Sequence, residues 1–249
     1  MDDAYKLRQK YNRFRILVIG RANAGKTTLL KRVCNTTEEP CIYDEKSNNL
    51  LESTLERGCH DIHRPFAFSS NPQFIFHDSP GLEAGDENQL KEVQSFIEKR
   101  ATSTDVKDQL HAIWFCFRPD KSRPLLELER RFFNEQQAGN APVIAIFTKF
   151  DDLVLQVFKR SLGMQGSREE AVKLLEDRFR APLFEYKYPP KAHVSTEGIE
   201  SMHKDDGDHQ RQVKELTEKT ADSLDDLALK ILFVSLQQNN LELCIRYAI

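Results

Sequence analysis

A chain of 249 residues, 39% of them hydrophobic, is long enough to bury a real core as one large domain or two small ones. Its 36 basic residues are balanced by 39 acidic ones, for a formal charge of −3, which argues against nucleic acid as a partner. Five cysteines without a C-x-x-C pair argue against a disulfide framework, and no apolar run approaches the roughly 20 residues that span a bilayer, so a soluble cytoplasmic protein is expected.

Residues 1–12 read as a polar lead-in with no apolar signal core, and Asp2 excludes N-myristoylation. FRILVIG (14–20) then predicts a buried strand, and KTTLLKRVC (26–34) a helix. Between them, Gly20 to Thr27 fits G-x-x-x-x-G-K-[ST], a loop that wraps a phosphate. The glycines let backbone N–H groups turn inward, Lys26 sets a cation against the β- and γ-phosphates, and the Thr27 hydroxyl is a Mg²⁺ ligand. The loop's binding residues are Asn23, Ala24, Gly25, Lys26, Thr27 and Thr28, with the helix N-terminus behind them.

Residues 36–58 look polar and irregular. HRPFAFSSNPQFIFHDSPG predicts two strands joined at Ser69-Ser70-Asn71-Pro72. The second ends in Asp78-Ser79-Pro80-Gly81, where Asp78 can hold a water on Mg²⁺ and the Gly81 N–H can touch a γ-phosphate. A helix is expected over 88–100, a strand over 110–117, a helix over 124–137 and a strand over 141–147. That last strand runs into Thr148-Lys149-Phe150-Asp151. The Asp151 carboxylate would accept both N1–H and N2–H₂ of guanine, a donor pair that adenine lacks, and the Lys149 stem can lie along the base.

Residues 153–190 predict one or two helices broken around Gly163 and Gly166, followed by the extended FEYKYPPK. KAHVSTE (191–197) reads as the last strand, with Ser195 offering backbone contacts to the guanine oxygen. A surface loop is expected over 199–212, then a long apolar-rich helix from about 213 with a break near Asn239-Asn240. Leu224, Leu227, Ile231 and Val234 form one stripe of that helix, while Leu229, Leu232, Phe233 and Leu236 fill another side. A helix apolar nearly all round is buried or meets a partner, so the C-terminal tail docks on its own domain or on another subunit. Six strands alternating with helices predict a doubly wound, mostly parallel α/β sheet with helices on both faces.

The ordered set of phosphate loop, Asp78–Gly81, Thr148–Asp151 and Ser195 resembles the translation-factor-related class of P-loop GTPases over residues 13–235. TLERGCHDI and the tail LKILFVSLQQNNLELCIRYA are similar to a group of fungal G-domain proteins. The resemblance implies a G domain over 13–235, a helical extension over 236–249, and GTP or GDP bound with Mg²⁺. It implies Lys26, Thr54 and Gly81 as catalytic groups and Thr27, Thr54 and Asp78 around the metal. Ser53, Thr36 and Thr37 compete with Thr54 for the switch position.

Four features depart from, or refine, that pattern. Thr148 stands where asparagine is commoner, and Val194-Ser195-Thr196 lacks the usual alanine-lysine ending. Leu82 follows Gly81 where Ras-type enzymes place a water-orienting glutamine, so hydrolysis is slow or relies on another group. Glu83 and Glu87 are near enough to serve, or are exposed acids leading into a helix. Asn23 resembles the asparagine of GTPases that use K⁺ and G-domain dimerisation; alternatively it stabilises the turn. In Cys59-His60-Asp61-Ile62-His63 a strand would align at most three ligands, so an ordinary strand is favoured over a metal site. The expected activity is slow, Mg²⁺-dependent GTP hydrolysis in a molecular switch; the alternative is a GTP-gated scaffold with little turnover. An ATPase or small-molecule kinase would have no use for Thr148-Lys149-x-Asp151.

Overall fold

Strand β1 (Phe14–Gly20) is buried along its whole length, as a central parallel strand covered on both faces must be. It belongs to a computed structural model that describes residues 13–45, 49–51, 61–79, 81–82, 87–135, 139–198 and 208–236. Helix α1 (Lys26–Val33) follows, then β2 (Cys41–Asp44), β3 (Asn49–Leu51), β4 (Phe66–Phe68), β5 (Asn71–Asp78) and α2 (Glu87–Ala101). The second half carries β6 (Ala112–Phe117), α3 (Glu127–Asn134), β7 (Val143–Phe147), α4 (Phe150–Gln156) and α5 (Gly163–Leu175). A π-helical turn (Glu176–Arg180) leads to α6 (Ala181–Glu185), β8 (Ala192–Ser195), α7 (Asp208–Ser223) and α8 (Leu227–Ser235).

The strands form one sheet in the order β3-β2-β4-β5-β1-β6-β7-β8. From β5 through β8 all pairings are parallel, while β2, β3 and β4 add an antiparallel edge. Strand alternation sorts the side chains into two layers. Phe14, Ile16 and Val18 face a cluster with Leu29, Leu30, Leu216 and Phe233, whereas Leu17 and Ile19 face Leu90, Phe96, Phe132 and Leu153. Helices α1, α7 and α8 therefore cover one face and α2 to α6 the other. Trp114 of β6 is fully buried, and its indole N–H donates to Thr220 Oγ1 of α7 at 3.2 Å.

Charged residues also sit inside this frame, Arg15 among them. Arg15 of β1, 2% exposed, donates from Nη1 to Glu45 Oε1 (2.9 Å) and His77 Nε2 (2.8 Å), and from Nε to Lys107 O (3.2 Å). An arginine only donates, so His77 accepts at Nε2 and gives its Nδ1–H to Ile62 O at 2.8 Å. Arg100 of α2 also donates to Glu45 (2.7 Å), which joins the β2 turn to both β1 and α2.

Several expectations are corrected. The sheet has eight strands among the described residues, not six, because part of the segment expected to be irregular pairs with β4 through Cys41–Ala67 and Ile42–Phe66. Gly163 opens α5 with a φ of 63°, but Gly166 lies inside that helix and breaks nothing. Phe184 and Glu185 are helical, not extended. Helix α7 begins at Asp208, inside the expected surface loop. The expected long helix is interrupted at Leu224–Asp226, where Asp226 takes an extended conformation and accepts from Ala228 N (2.7 Å) and Leu229 N (3.1 Å) as a new N-cap. The expected break at Asn239-Asn240, and the tail beyond it, lie outside the described residues. Among the described residues no helix is long and apolar enough to cross a membrane.

Candidate functional site

Parallel pairing brings the C-terminal ends of β5, β1, β6, β7 and β8 to one edge of the sheet, where α/β folds bind their ligands. At the end of β1 the chain turns sharply. Asn23 (φ 57°) and Gly25 (φ 74°) take the left-handed conformation, which asparagine tolerates and glycine adopts freely. The Ala24 N–H donates to Arg21 O at 3.2 Å, closing the turn. No side chain caps α1, so its first N–H groups remain available to an anion. Thr27 is exposed and Thr28 half-buried at the start of this helix.

Lys26 is buried beside the loop, with Nζ 3.3 Å from Gly20 O, 3.4 Å from Arg21 O and 3.6 Å from Asp78 Oδ1. The cation and the carboxylate that the sequence assigned to phosphate and metal thus lie together. Ser79 N–H donates to Val18 O (3.0 Å), carrying the chain past β1 toward Gly81. A Cβ on Gly81 would lie 2.7 Å from Ala22 N, so only glycine lets this segment lie against the phosphate loop. Thr27, exposed, and Asp78 offer a hydroxyl and a carboxylate, hard oxygen donors of the kind that suits Mg²⁺ when phosphates and water complete its shell. Among the described residues no three His, Cys, Asp or Glu side chains could hold an ion by themselves.

In the loop after β7, Thr148 N–H and hydroxyl both donate to Phe117 O, at 2.8 and 3.1 Å. Lys149 has a φ of 55°, and its Cε lies 3.9 Å from where a Cβ of Gly25 would be, so its stem reaches the phosphate loop. Asp151 accepts from Gly198 N at 3.3 Å, and Phe150 N donates to Thr196 O at 3.0 Å. The turn after β8 is pinned in turn by α5 and α7. Arg168 forks onto Glu197 (2.8 and 2.6 Å), Gln212 exchanges two bonds with the Glu197 backbone (2.9 and 3.1 Å), and His209 bonds Gly198 O at 2.8 Å.

The four loops therefore meet at one edge: Asn23 to Thr28, the residues Asp78, Ser79 and Gly81, Thr148 to Asp151, and the turn after β8. Ser195 is the last residue of β8 and its side chain is exposed; Thr196 and Gly198 bond Phe150 and Asp151 of the loop after β7. The Thr196 hydroxyl is buried and makes no hydrogen bond within the described residues. Thr54, Ser53, Glu83, Cys59 and His60 lie outside the described residues. Thr36 and Thr37 follow α1. Leu82 is fully buried among Ile19, Ile62 and Leu90, pointing into the core. Glu87 opens α2 and pairs with Arg131 at 3.2 Å. Cys34, Cys41 and Cys116 are free thiols; burial pushes Cys116 up to about 12 and Cys34 higher, which leaves both unreactive.

Sequence reasoning overlooked one pair. Arg21, in a variable position of the phosphate loop, meets Glu129 of α3 in a buried ion pair. The available signal was Glu129 itself, an acid set among Leu125, Leu128, Phe132 and Phe133, where a charge needs a partner.

A family model described as 50S ribosome-binding GTPase matches residues 15–149. Among solved structures, the chain is similar to an S. thermophilus NFeoB mutant bound to GDP (13% identity, 85% of this chain and 62% of that one, TM-score 0.43). It is also similar to an NFeoB mutant from the same organism bound to mGDP (14%, 86% and 62%, TM-score 0.44). A third is a GDP-bound mutant of the S. thermophilus FeoB G-domain (14%, 86% and 64%, TM-score 0.43). The chain thus spans less than two thirds of the length of these structures. No curated protein matches the chain significantly.

Proposed function

Because the chain belongs to the 50S ribosome-binding GTPase family, we propose that it binds GTP with Mg²⁺ and hydrolyses it slowly to GDP and phosphate, as a molecular switch. The observation that carries this reading is the meeting of Lys26 and Asp78 at 3.6 Å with Lys149 laid over the same loop. Residues 13–235 act as one G domain. Lys26 holds the β- and γ-phosphates, and the Gly81 N–H meets the γ-phosphate. Thr27, Asp78 and the switch threonine, assigned to Thr54, hold the metal. When bound, Mg²⁺ neutralises charge developing on the phosphate oxygens. Asp151 reads guanine through its two donors. The turn from Ser195 to Gly198 supports it, and Thr196 places a buried hydroxyl beside Asp151's helix.

Leu82 favours a second reading, a GTP-gated scaffold with little turnover. Its side chain is packed in the core, so water must be oriented by another group or a partner. In the slow-hydrolase reading Asn23 helps hold K⁺ on the phosphates, and a second G domain or an effector meets residues 36–58, 82–88 and the C-terminal helix. The test is competition of GTP, GDP and ATP for the chain, followed by single-turnover hydrolysis in K⁺ and in Na⁺. Guanine selectivity with K⁺-stimulated release of phosphate is expected. Equal competition by ATP would overturn the guanine reading; selectivity without turnover would favour the scaffold; equal rates in both salts would remove K⁺.

A further inference from the structure

Phosphate binding places no demand on the side chain at position 21, yet Arg21 is almost wholly enclosed, and among the described residues its guanidinium bonds run away from the phosphate loop. Its Nε donates to Glu129 Oε1 (2.7 Å) and its Nη2 to Glu129 Oε2 (2.8 Å), a two-pronged pair that fixes orientation as well as distance. Nη2 also reaches Pro124 O (2.8 Å), and Nη1 reaches Arg123 O (3.2 Å). Glu129, with no exposed surface, also accepts the Leu126 N–H at the start of α3 (2.8 Å).

Burying such a pair adds little stability, because desolvation offsets the attraction; its geometry is what it contributes. That geometry has a second end. The segment from residue 118 to 126 is tied to α4 by Arg118–Asp152 (3.1 Å) and by Lys121 N–H to Gln156 Oε1 (2.9 Å). Helix α4 starts within the base motif at Phe150. Thr148 directs its hydroxyl at Phe117 O, the residue just before this segment. The segment therefore bridges the phosphate loop and the base-reading helix.

We propose that Arg21 and Glu129 are a positioning pair that fixes the phosphate loop, through residues 118–126, at a set distance from the base motif. This rests on the guanine-nucleotide reading above. The pair touches no phosphate; it holds the loop that does.

The experiment measures dissociation constants for GMP and GDP, with thermal unfolding of the nucleotide-free chain, for the wild type, Glu129→Gln, Arg21→Lys and the double variant Arg21→Met/Glu129→Leu. The single variants are expected to bind GDP about 10- to 100-fold more weakly, since small misplacements of binding groups carry costs of this size, with a smaller change for GMP. The double variant removes both charges, so its unfolding temperature recovers while GDP binding stays weak. If Glu129→Gln does not fold, Arg21→Lys and the double variant carry the comparison. GDP constants equal to wild type in folded variants would overturn the positioning role, as would a double variant that recovers affinity along with stability. A wild type that binds no guanine nucleotide would overturn the functional reading, and this pair's role with it.

Discussion

Leu82 shows how one side chain separates two readings of the same motif. The backbone at Gly81 lies against the phosphate loop, yet the next side chain turns into the core. Leu82→Gln is therefore expected to lower stability by about 2–3 kcal/mol, the cost of losing apolar burial and leaving an amide unpaired, without raising the single-turnover rate. A faster rate in a stable variant would contradict the inward placement. The same residue marks how far the site was legible. Lys26, Thr27, Asp78 and Asp151 stand out in sequence because each falls in a short run of fixed residue types at the end of an apolar strand. Arg21 and Glu129 do not, because 108 residues separate them and only the fold brings them together. The turn after β8 was hard to place for a different reason: its contacts are mostly backbone groups, and backbone groups have no sequence signature.

Among the elements, β1, β5, β6 and β7 were plain as apolar runs because parallel strands are buried on both faces. β2 and β3 were not, being short and only partly buried, β2 stabilised by pairing with β4 and β3 by pairing with β2, partners that no local pattern announces. The break between α7 and α8 was legible in principle, since Asp226 stands directly before the run LALKILFV as an N-cap would. Asp226→Ala should release two backbone donors and cost about 1 kcal/mol. Helix α8 packs Phe233 against Phe14 of β1, with ring centroids 4.6 Å apart, so the loss should appear as a lower unfolding temperature for the whole domain. A separate early transition would instead mean that α8 melts independently.

For the whole molecule, the buried histidines set a direction for acid sensitivity. Burial, reinforced by the Arg15 charge, pushes His111 down from 6.5 to about 4 against the pull of its bond to Val106 O. Burial also drives His77 well below its usual range, with Arg15 and Arg100 acting in the same direction. Both rings stay neutral in the fold, while in the unfolded chain they take up protons from about pH 6.5 downward. Between about 6.5 and 4 the unfolded chain binds protons that the native one rejects, so stability falls as pH falls. His111 alone should remove about 2 kcal/mol by pH 5, and His77 adds to it. Urea unfolding at pH 7 and pH 5 checks this; unchanged midpoints would rule it out. One buried bond offers a way to watch the domain directly. Trp114 is the chain's single tryptophan, and α7, the helix it bonds, is also one of the two that pin the turn beside Asp151. Its emission should be blue-shifted and shielded from acrylamide in the native state. Any event that lifts α7 from the sheet, including one begun at the turn after β8, would then be visible as a red shift with no label attached.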